Sequence, residues 1–411
     1  MKKLRAILGV IIVLGVAAAA ASVAVAKPGQ TARVAAGPSC TTATIGVTGP
    51  FTGPAASAGI DQRNWADLFI QYWNGGKAIS GVPASLHRVK LTAIHADTQL
   101  NPQVAATVAV QLRSNPAVVL VNGFSGSQEN VAGGPILRRG HLGFVSGSAT
   151  RASLTDSSTP DGSVLSNGYF HRVVPNDNAQ GAVDVKYMLN KMGVKSGDTV
   201  MTVDQAEAYS VPLVSLMTSL LQKAGVKVDR ESQPASQTDF TSLAQKAVAE
   251  HATAVAFAGQ VASNAQLFLQ QLHADGFHGG WISTDGTFDS TNFKVPGAFV
   301  SSFSLDIHTI KSAAPIVAAF KKRFNQDTIS FGVPTWVAVE TMAVAISNAC
   351  AKGHGHITRT TARLALNKVS LKTSLIGRPI AFQASGDVKG GISFTIFQIQ
   401  GDGSYKAVQA G

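Results

Sequence analysis

Three short loops rich in glycine and hydroxyl-bearing residues carry the chemistry that this sequence offers. They span residues 49–54 (GPFTGP), 122–127 (NGFSGS) and 146–150 (SGSAT), and each follows a short apolar run. Hydroxyl groups and backbone N–H groups placed at strand ends can hold a small polar ligand. One such loop is equally compatible with ordinary turn chemistry. The order and spacing of all three predict ligand binding more strongly than any one of them.

Some segments partly match known catalytic or nucleotide-binding motifs, but none of these matches is complete. Residues 123–127 resemble the G-x-S-x-G turn of serine hydrolases, yet Ser127 stands where that turn needs glycine. The chain has no G-x-x-x-x-G-K-[ST] segment, and residues 353–356 lack the third glycine and the preceding strand of a dinucleotide-binding loop. His354 and His356 are interpreted as part of a solvated loop. We therefore expect no enzymatic activity, no metal site and no cofactor.

The elements that position these loops follow from an alternation of short apolar runs with longer amphipathic segments. Trp65, Phe69 and Trp73 recur at four-residue spacing, as on one face of a helix. Runs that predict strands lie at 44–47, 89–93, 117–121, 142–145, 199–203, 254–257 and 280–283. Such βαβ alternation predicts an α/β fold of parallel sheets that bind ligands at the carboxyl ends of their strands. Two comparable blocks, about 43–175 and 176–304, predict two lobes.

The net charge of the chain bears on whether it binds nucleic acid. The chain of 411 residues carries 34 Lys and Arg against 23 Asp and Glu, a net charge of +11, but no basic cluster exceeds the triplet at 321–323. Nucleic-acid binding is therefore not expected.

The N-terminal segment predicts export. Lys2, Lys3 and Arg5 precede an apolar stretch that ends in Ala-Val-Ala at 24–26, which predicts a signal peptide over 1–26 and a linker over 27–42. We expect an exported protein, in the periplasm, the cell envelope or outside the cell; a retained N-terminal anchor stays open.

Export bears on the two cysteines. In an oxidising compartment, Cys40 and Cys350 are most simply interpreted as one disulfide. Two free buried thiols are the alternative.

Further motifs, in this order along the chain, resemble those of the type I periplasmic solute-binding proteins of the leucine/isoleucine/valine-binding family, which serve ABC importers. The resemblance covers about 44–408. The segments that carry it are IGVTGPFTG at 45–53, NGG at 74–76, Asp97 with Asn-Pro at 101–102, SAT at 148–150, FHRVVP at 170–175, Gln-Gly at 180–181, TDF at 238–240 and GDVKG at 386–390.

The resemblance implies two doubly wound Rossmann-like lobes joined by three crossovers, which close on a ligand like a hinged trap. The first lobe would comprise residues 43–175 and 305–392. The second would comprise residues 176–304 and 393–411.

Site residues are also implied by the resemblance. The ligand carboxylate would meet Ser125, Ser127, Ser148, Ala149 and Thr150 of the first lobe. Asp285 would pair with the ligand ammonium, Tyr209 would face the ligand, and Asn176 or Asp177 would add a polar contact at the crossover.

The function implied is that of a monomeric receptor that binds a branched-chain or other apolar amino acid and presents it to a membrane permease. The alternative is an amide- or urea-type receptor, another small-molecule receptor, or a sensory ectodomain on the same fold. Asp285 favours the amino-acid receptor over these alternatives, because a buried carboxylate beside a ligand without an ammonium group would stay unpaired, which is costly.

Overall fold

Two sheets organise the part of the chain that the computed structural model describes, which is residues 40–303, 305–390 and 392–409. The strands, in chain order, are β1 (Thr42–Gly49), β2 (Lys90–Asp97), β3 (Val118–Asn122), β4 (Gly143–Ser146), β5 (Phe170–Arg172), β6 (Thr199–Asp204), β7 (Lys227–Ser232), β8 (Ala254–Ala258), β9 (Gly280–Ser283), β10 (Phe299–Ser302), β11 (Ser370–Leu371), β12 (Ile380–Ala381), β13 (Thr395–Ile399) and β14 (Tyr405–Gln409).

The helices that cover the sheets occupy the segments between strands. They are α1 (Ala56–Asn74), α2 (Pro102–Ser114), α3 (Ser127–Arg139), α4 (Pro160–Leu165), α5 (Asp177–Asn190), α6 (Ser210–Lys223), α7 (Thr241–Ala249), α8 (Ala262–Ala274), α9 (Ala314–Phe324), α10 (Gly332–Lys352) and α11 (Arg359–Leu366). Each of the seven predicted strands overlaps an observed strand, with bounds that differ by at most a few residues, and Trp65, Phe69 and Trp73 lie in α1.

Strand order separates the molecule into two lobes. The first sheet has the order β2-β1-β3-β4-β5 and is parallel throughout. The second has the order β14-β13-β10-β9-β8-β6-β7, with a parallel body from β7 to β10 and two antiparallel strands at the β14 edge. We call the first sheet with its helices the first lobe, and the second sheet with its helices the second lobe.

The chain passes between the lobes three times. It leaves the first sheet after β5, returns after β10 to form α10, which packs on α1, β3 and β4, and reaches the second sheet again at β13. The predicted fold, two doubly wound lobes joined by three crossovers, is confirmed. The residue boundaries given for the lobes stay a prediction.

Burial explains why the short apolar runs became strands. Every residue of β3 and of β8 is buried, as expected for central strands covered by helices on both faces. In the first lobe, the ring of Trp336 from α10 packs edge-on against Trp65 and Phe69 of α1, with ring centroids 5.9 Å and 5.1 Å apart. These rigid cores fix the strand ends, and with them the loops that follow.

The predicted disulfide is confirmed. Cys40, just before β1, is bonded to Cys350 at the end of α10, with the two Cα atoms 5.6 Å apart. The bond ties the start of the described chain to a helix 310 positions later.

The predicted signal peptide, and the linker as far as residue 39, lie outside the described residues. Within the described residues, no helix combines the length and apolar character needed to cross a membrane.

Candidate ligand-binding site

A cavity between the lobes brings together most of the predicted site residues. From the first lobe it is lined by Ser125 and Ser127, which follow β3, and by Ser148 and Thr150, which follow β4. From the second lobe it is lined by Tyr209, which directly precedes α6, and by Asp285, which begins a short 3₁₀ turn after β9. The cavity therefore lies where the carboxyl ends of the parallel strands of the two sheets face each other.

One end of the cavity suits an anion. Ser127 is the first residue of α3, a helix of 13 residues whose leading N–H groups have no carbonyl partner within the helix. None of the hydrogen bonds found among the described residues uses the Ser127 hydroxyl as a donor; its oxygen accepts from the backbone N–H of Arg151 at 3.3 Å. A carboxylate placed here would meet a free hydroxyl proton and the positive end of a helix dipole.

A buried acid caps the same helix. Glu129 accepts a hydrogen bond from the backbone N–H of Gly126 at 2.6 Å through Oε2. Burial raises the pKa of Glu129 to about 7, against the opposing effects of hydrogen bonds from Thr98 and Gly126. This carboxyl is therefore only partly charged at neutral pH, which weakens its repulsion of a nearby anion.

The opposite wall presents a carboxylate. Asp285 is buried, and it accepts a hydrogen bond from the Tyr209 hydroxyl at 2.7 Å. No Lys, Arg or His of the described residues forms an ion pair with it. Burial raises the pKa of Asp285 to about 7, and the hydrogen bond from Tyr209 opposes that rise. A cation entering the cavity would supply the missing partner.

Two further acids lie close behind this wall. Asp177 is buried, and neither of its carboxylate oxygens has a hydrogen bond of ordinary length. Burial and the nearby Asp285 charge raise the pKa of Asp177 well above its usual value, with the Thr150 hydroxyl opposing the shift. Asp184 accepts from Ser301 at 3.1 Å, and burial likewise raises its pKa well above the usual value. Burial thus disfavours the charged forms of Asp177 and Asp184.

Three predicted residues are not part of the cavity lining: Asp177, described above, and Asn176 and Ala149, which have other contacts. Asn176 is the N-cap of α5, where its side chain accepts from the backbone N–H of Asn178 at 3.1 Å. Ala149 is buried; its N–H donates to the Ser146 hydroxyl at 2.9 Å and its carbonyl accepts from Arg172 at 3.2 Å. These contacts stabilise the loops that carry Asp177 and Thr150.

Most of the remaining lining residues have no hydrogen-bonding side chain, and sequence reasoning did not single out this apolar part of the wall. The additional lining residues are Pro50, Ala55, Ala58, Leu100, Gln260, Gly286 and Phe331. Phe331 and Leu100 belong to no motif, and the two alanines lie at the start of α1, where a pattern reading assigns them to helix packing. Of this set, only the loop containing Pro50 carried a sequence signal.

The lobes touch each other around the cavity. The Gln128 side-chain amide donates to Gln260 Oε1 at 2.8 Å, and Arg151 donates to the carbonyl of Ala208 at 2.8 Å. The hydroxyl of Ser57 on α1 also donates to Asp289 of the second lobe. These bonds connect residues that lie on opposite sides of the cavity, so they close its rim.

Comparison with known proteins agrees with this architecture. A family model described as periplasmic binding protein matches residues 42–404. The leucine-, isoleucine-, valine-, threonine- and alanine-binding protein of Pseudomonas aeruginosa is 24% identical over 372 residues, which cover 89% of this chain and 92% of that protein.

Solved structures show the same fold at lower identity. The substrate-binding protein LivJ of Streptococcus pneumoniae, in complex with isoleucine, superposes with a TM-score of 0.73 at 18% identity and covers 90% of this chain and 99% of its own. A solute-binding protein of R. palustris, in complex with benzoate, gives a TM-score of 0.72 at 17% identity over 90% and 96% of the two chains.

The family match spans the first sheet, the second sheet except for β14, and every loop that lines the cavity. Its members are binding proteins of transport systems and not enzymes. The chain belongs to the periplasmic binding protein family.

Proposed function

We propose that this protein is the extracytoplasmic receptor of an ABC importer and that it binds a branched-chain or other apolar α-amino acid between its lobes. The observation that carries the proposal is the buried Asp285 carboxylate, which faces the cavity without a cationic partner among the described residues. An α-ammonium group would neutralise it.

The rest of the cavity supports a zwitterion with an apolar side chain. The ligand carboxylate would meet Ser127 and the first N–H groups of α3. Ser125, Ser148 and Thr150 would add polar contacts, and the uncharged surface of Ala58, Leu100 and Phe331 would receive the side chain. The Pseudomonas aeruginosa relative is named for the binding of such amino acids.

A second class of ligand has a specific observation behind it. The R. palustris relative binds benzoate, which has a carboxylate but no ammonium. A ligand of that class would leave Asp285 buried and unpaired, or protonated, and would forgo the attraction of the carboxylate. The amide- or urea-type alternative fails for the same reason, so we favour the amino acid.

Calorimetry decides between these classes. The purified protein, freed of bound ligand by unfolding and refolding, is titrated at pH 8 with leucine, isoleucine, valine, leucinamide and benzoate. We expect the amino acids to bind most tightly. Binding of benzoate or leucinamide with no binding of any amino acid would refute the proposal.

Export and partners follow from the same proposal. We propose that the signal peptide is removed after Ala26, that the mature receptor is a monomer, and that it delivers its ligand to a membrane permease. N-terminal sequencing of the exported protein tests the first statement, because a retained anchor would leave the chain starting at Met1. Light scattering tests the second.

A further inference from the structure

One buried side chain outside the predicted site contacts two of its serines at once. Gln62 lies on α1 and is 5% exposed. Its side-chain Nε2 donates to Ser148 Oγ at 3.0 Å, and its Oε1 accepts from Ser125 Oγ at 2.6 Å. Gln62 itself is not part of the cavity lining, whereas both serines are. It can therefore act on a ligand only through them.

The two serines become inequivalent under this arrangement. Ser125 gives its hydroxyl proton to Gln62, so only its oxygen lone pairs remain for a ligand. Ser148 receives a proton from the Gln62 amide, and its own proton points to the Ser125 carbonyl at 2.9 Å. A hydroxyl proton can rotate about its C–O bond. The Ser148 proton can therefore turn towards an incoming carboxylate while its oxygen stays bonded to Gln62.

The amide also strengthens that donor. A hydroxyl group that already accepts a hydrogen bond is polarised and donates more strongly, most of all in a buried network. Ser125 and Ser148 lie on different loops, after β3 and β4, and their hydroxyl oxygens are 3.3 Å apart. Because Gln62 bonds to both, it fixes the spacing of the two loops as well as the direction of each proton.

We infer that Gln62 is a positioning residue that joins the two serine loops, making Ser148 a donor to the ligand carboxylate and Ser125 an acceptor. The inference rests on the proposed function in so far as it assigns the carboxylate end of an amino acid. It identifies a determinant of ligand choice on α1, a helix whose one residue in the cavity lining is Ala58.

The binding test compares leucine with leucinamide, which keeps the ammonium but lacks the carboxylate. Gln62→Met removes both hydrogen bonds at similar volume, and Gln62→Glu keeps an acceptor for Ser125 but removes the donor to Ser148. A hydrogen bond to a charged group contributes about 1.5–3 kcal/mol, so the ratio of the leucinamide Kd to the leucine Kd should fall at least about tenfold in both variants. The matched control is Gln71→Met, because Gln71 is an exposed residue of the same helix. This control should leave the ratio unchanged.

Equal losses for leucine and leucinamide in Gln62→Met would overturn the inference, because they would indicate a purely structural role. A second measurement needs no ligand. Thermal unfolding of Gln62→Met, Ser125→Ala and the double variant should give non-additive changes in Tm, and additive changes would also overturn it. If the wild type binds no amino acid, the proposed function fails. The comparison of the two single variants with the double variant then still decides whether Gln62 joins the serines.

Discussion

Asp285→Asn is the substitution that most directly tests the charge of the site. Asparagine keeps the shape of the side chain and an oxygen that can accept from the Tyr209 hydroxyl. It removes the negative charge and replaces one carboxylate oxygen by an NH2 group. Because the native carboxyl is buried without a cationic partner among the described residues, we expect the variant to be at least as stable as the wild type at pH 8.

The affinity of Asp285→Asn for leucine should fall, although its stability should not. Without the carboxylate, the leucine ammonium would be buried and unpaired, and by analogy with broken buried ion pairs affinity should fall by about a hundredfold, or about 3 kcal/mol. The wild type should also lose affinity in acid. Burial raises the pKa of Asp285 to about 7, so each pH unit below 7 should weaken binding about tenfold. Neither end of leucine titrates between pH 5 and 7.

Calorimetry from pH 8 to pH 5 measures both effects. The wild-type Kd should rise about a hundredfold between pH 8 and pH 5, whereas Asp285→Asn should bind weakly and almost independently of pH. Asp239→Asn, which alters an exposed acid of the same lobe, is the control. A loss below about threefold in Asp285→Asn, or a flat wild-type profile, would refute the assignment of the ammonium to Asp285.

Three further predictions concern stability. Replacing Cys40 and Cys350 by serine should lower the free energy of unfolding by on the order of 5 kcal/mol, since the bond closes a loop of 310 positions; denaturant titrations of the oxidised protein and the variant would show it, and coinciding curves would contradict it. Glu340 is fully buried with no hydrogen bond to either carboxylate oxygen, and burial raises its pKa well above the usual value. Glu340 therefore ionises more readily in the unfolded chain than in the folded one, and its cost to stability grows as pH rises above about 4.5. Glu340→Met should thus stabilise more at pH 8 than at pH 4, and a pH-independent difference would count against this. Burial lowers the pKa of His171 to about 4, so its contribution is present above about pH 6.5 and is lost as pH falls to 4; relative to His171→Gln, the wild type should lose about 3 kcal/mol across that window, and parallel pH profiles would exclude it.

The fold could be predicted where burial is uniform. Runs such as β3 and β8 are apolar because helices cover both of their faces, and their sequence carries that signal directly. β7 was missed because Lys227–Ser232 forms an edge strand whose charged side chains remain partly exposed. β5 was missed because three residues are too few to show a period.

The site could be predicted where a residue lies in a loop with a motif. Ser127 lies in such a loop, whereas Tyr209 and Asp285 were assigned through the family resemblance, and all three line one cavity. Gln62 was not predicted, because a glutamine in an amphipathic helix normally indicates a solvated face. Its burial depends on two loops that reach α1 from later parts of the chain, and no local pattern records such contacts.

The antiparallel end of the second sheet has a consequence for how the molecule is made. β10 pairs with β9 on one side and with β13 on the other, where residues 299–302 bond to residues 395–398. Until that late segment has been synthesised, β10 presents a free row of N–H and C=O groups, which is a template for pairing with other chains. An unfinished or C-terminally clipped chain would therefore tend to aggregate through this edge, even though every residue of β6 to β10 is present.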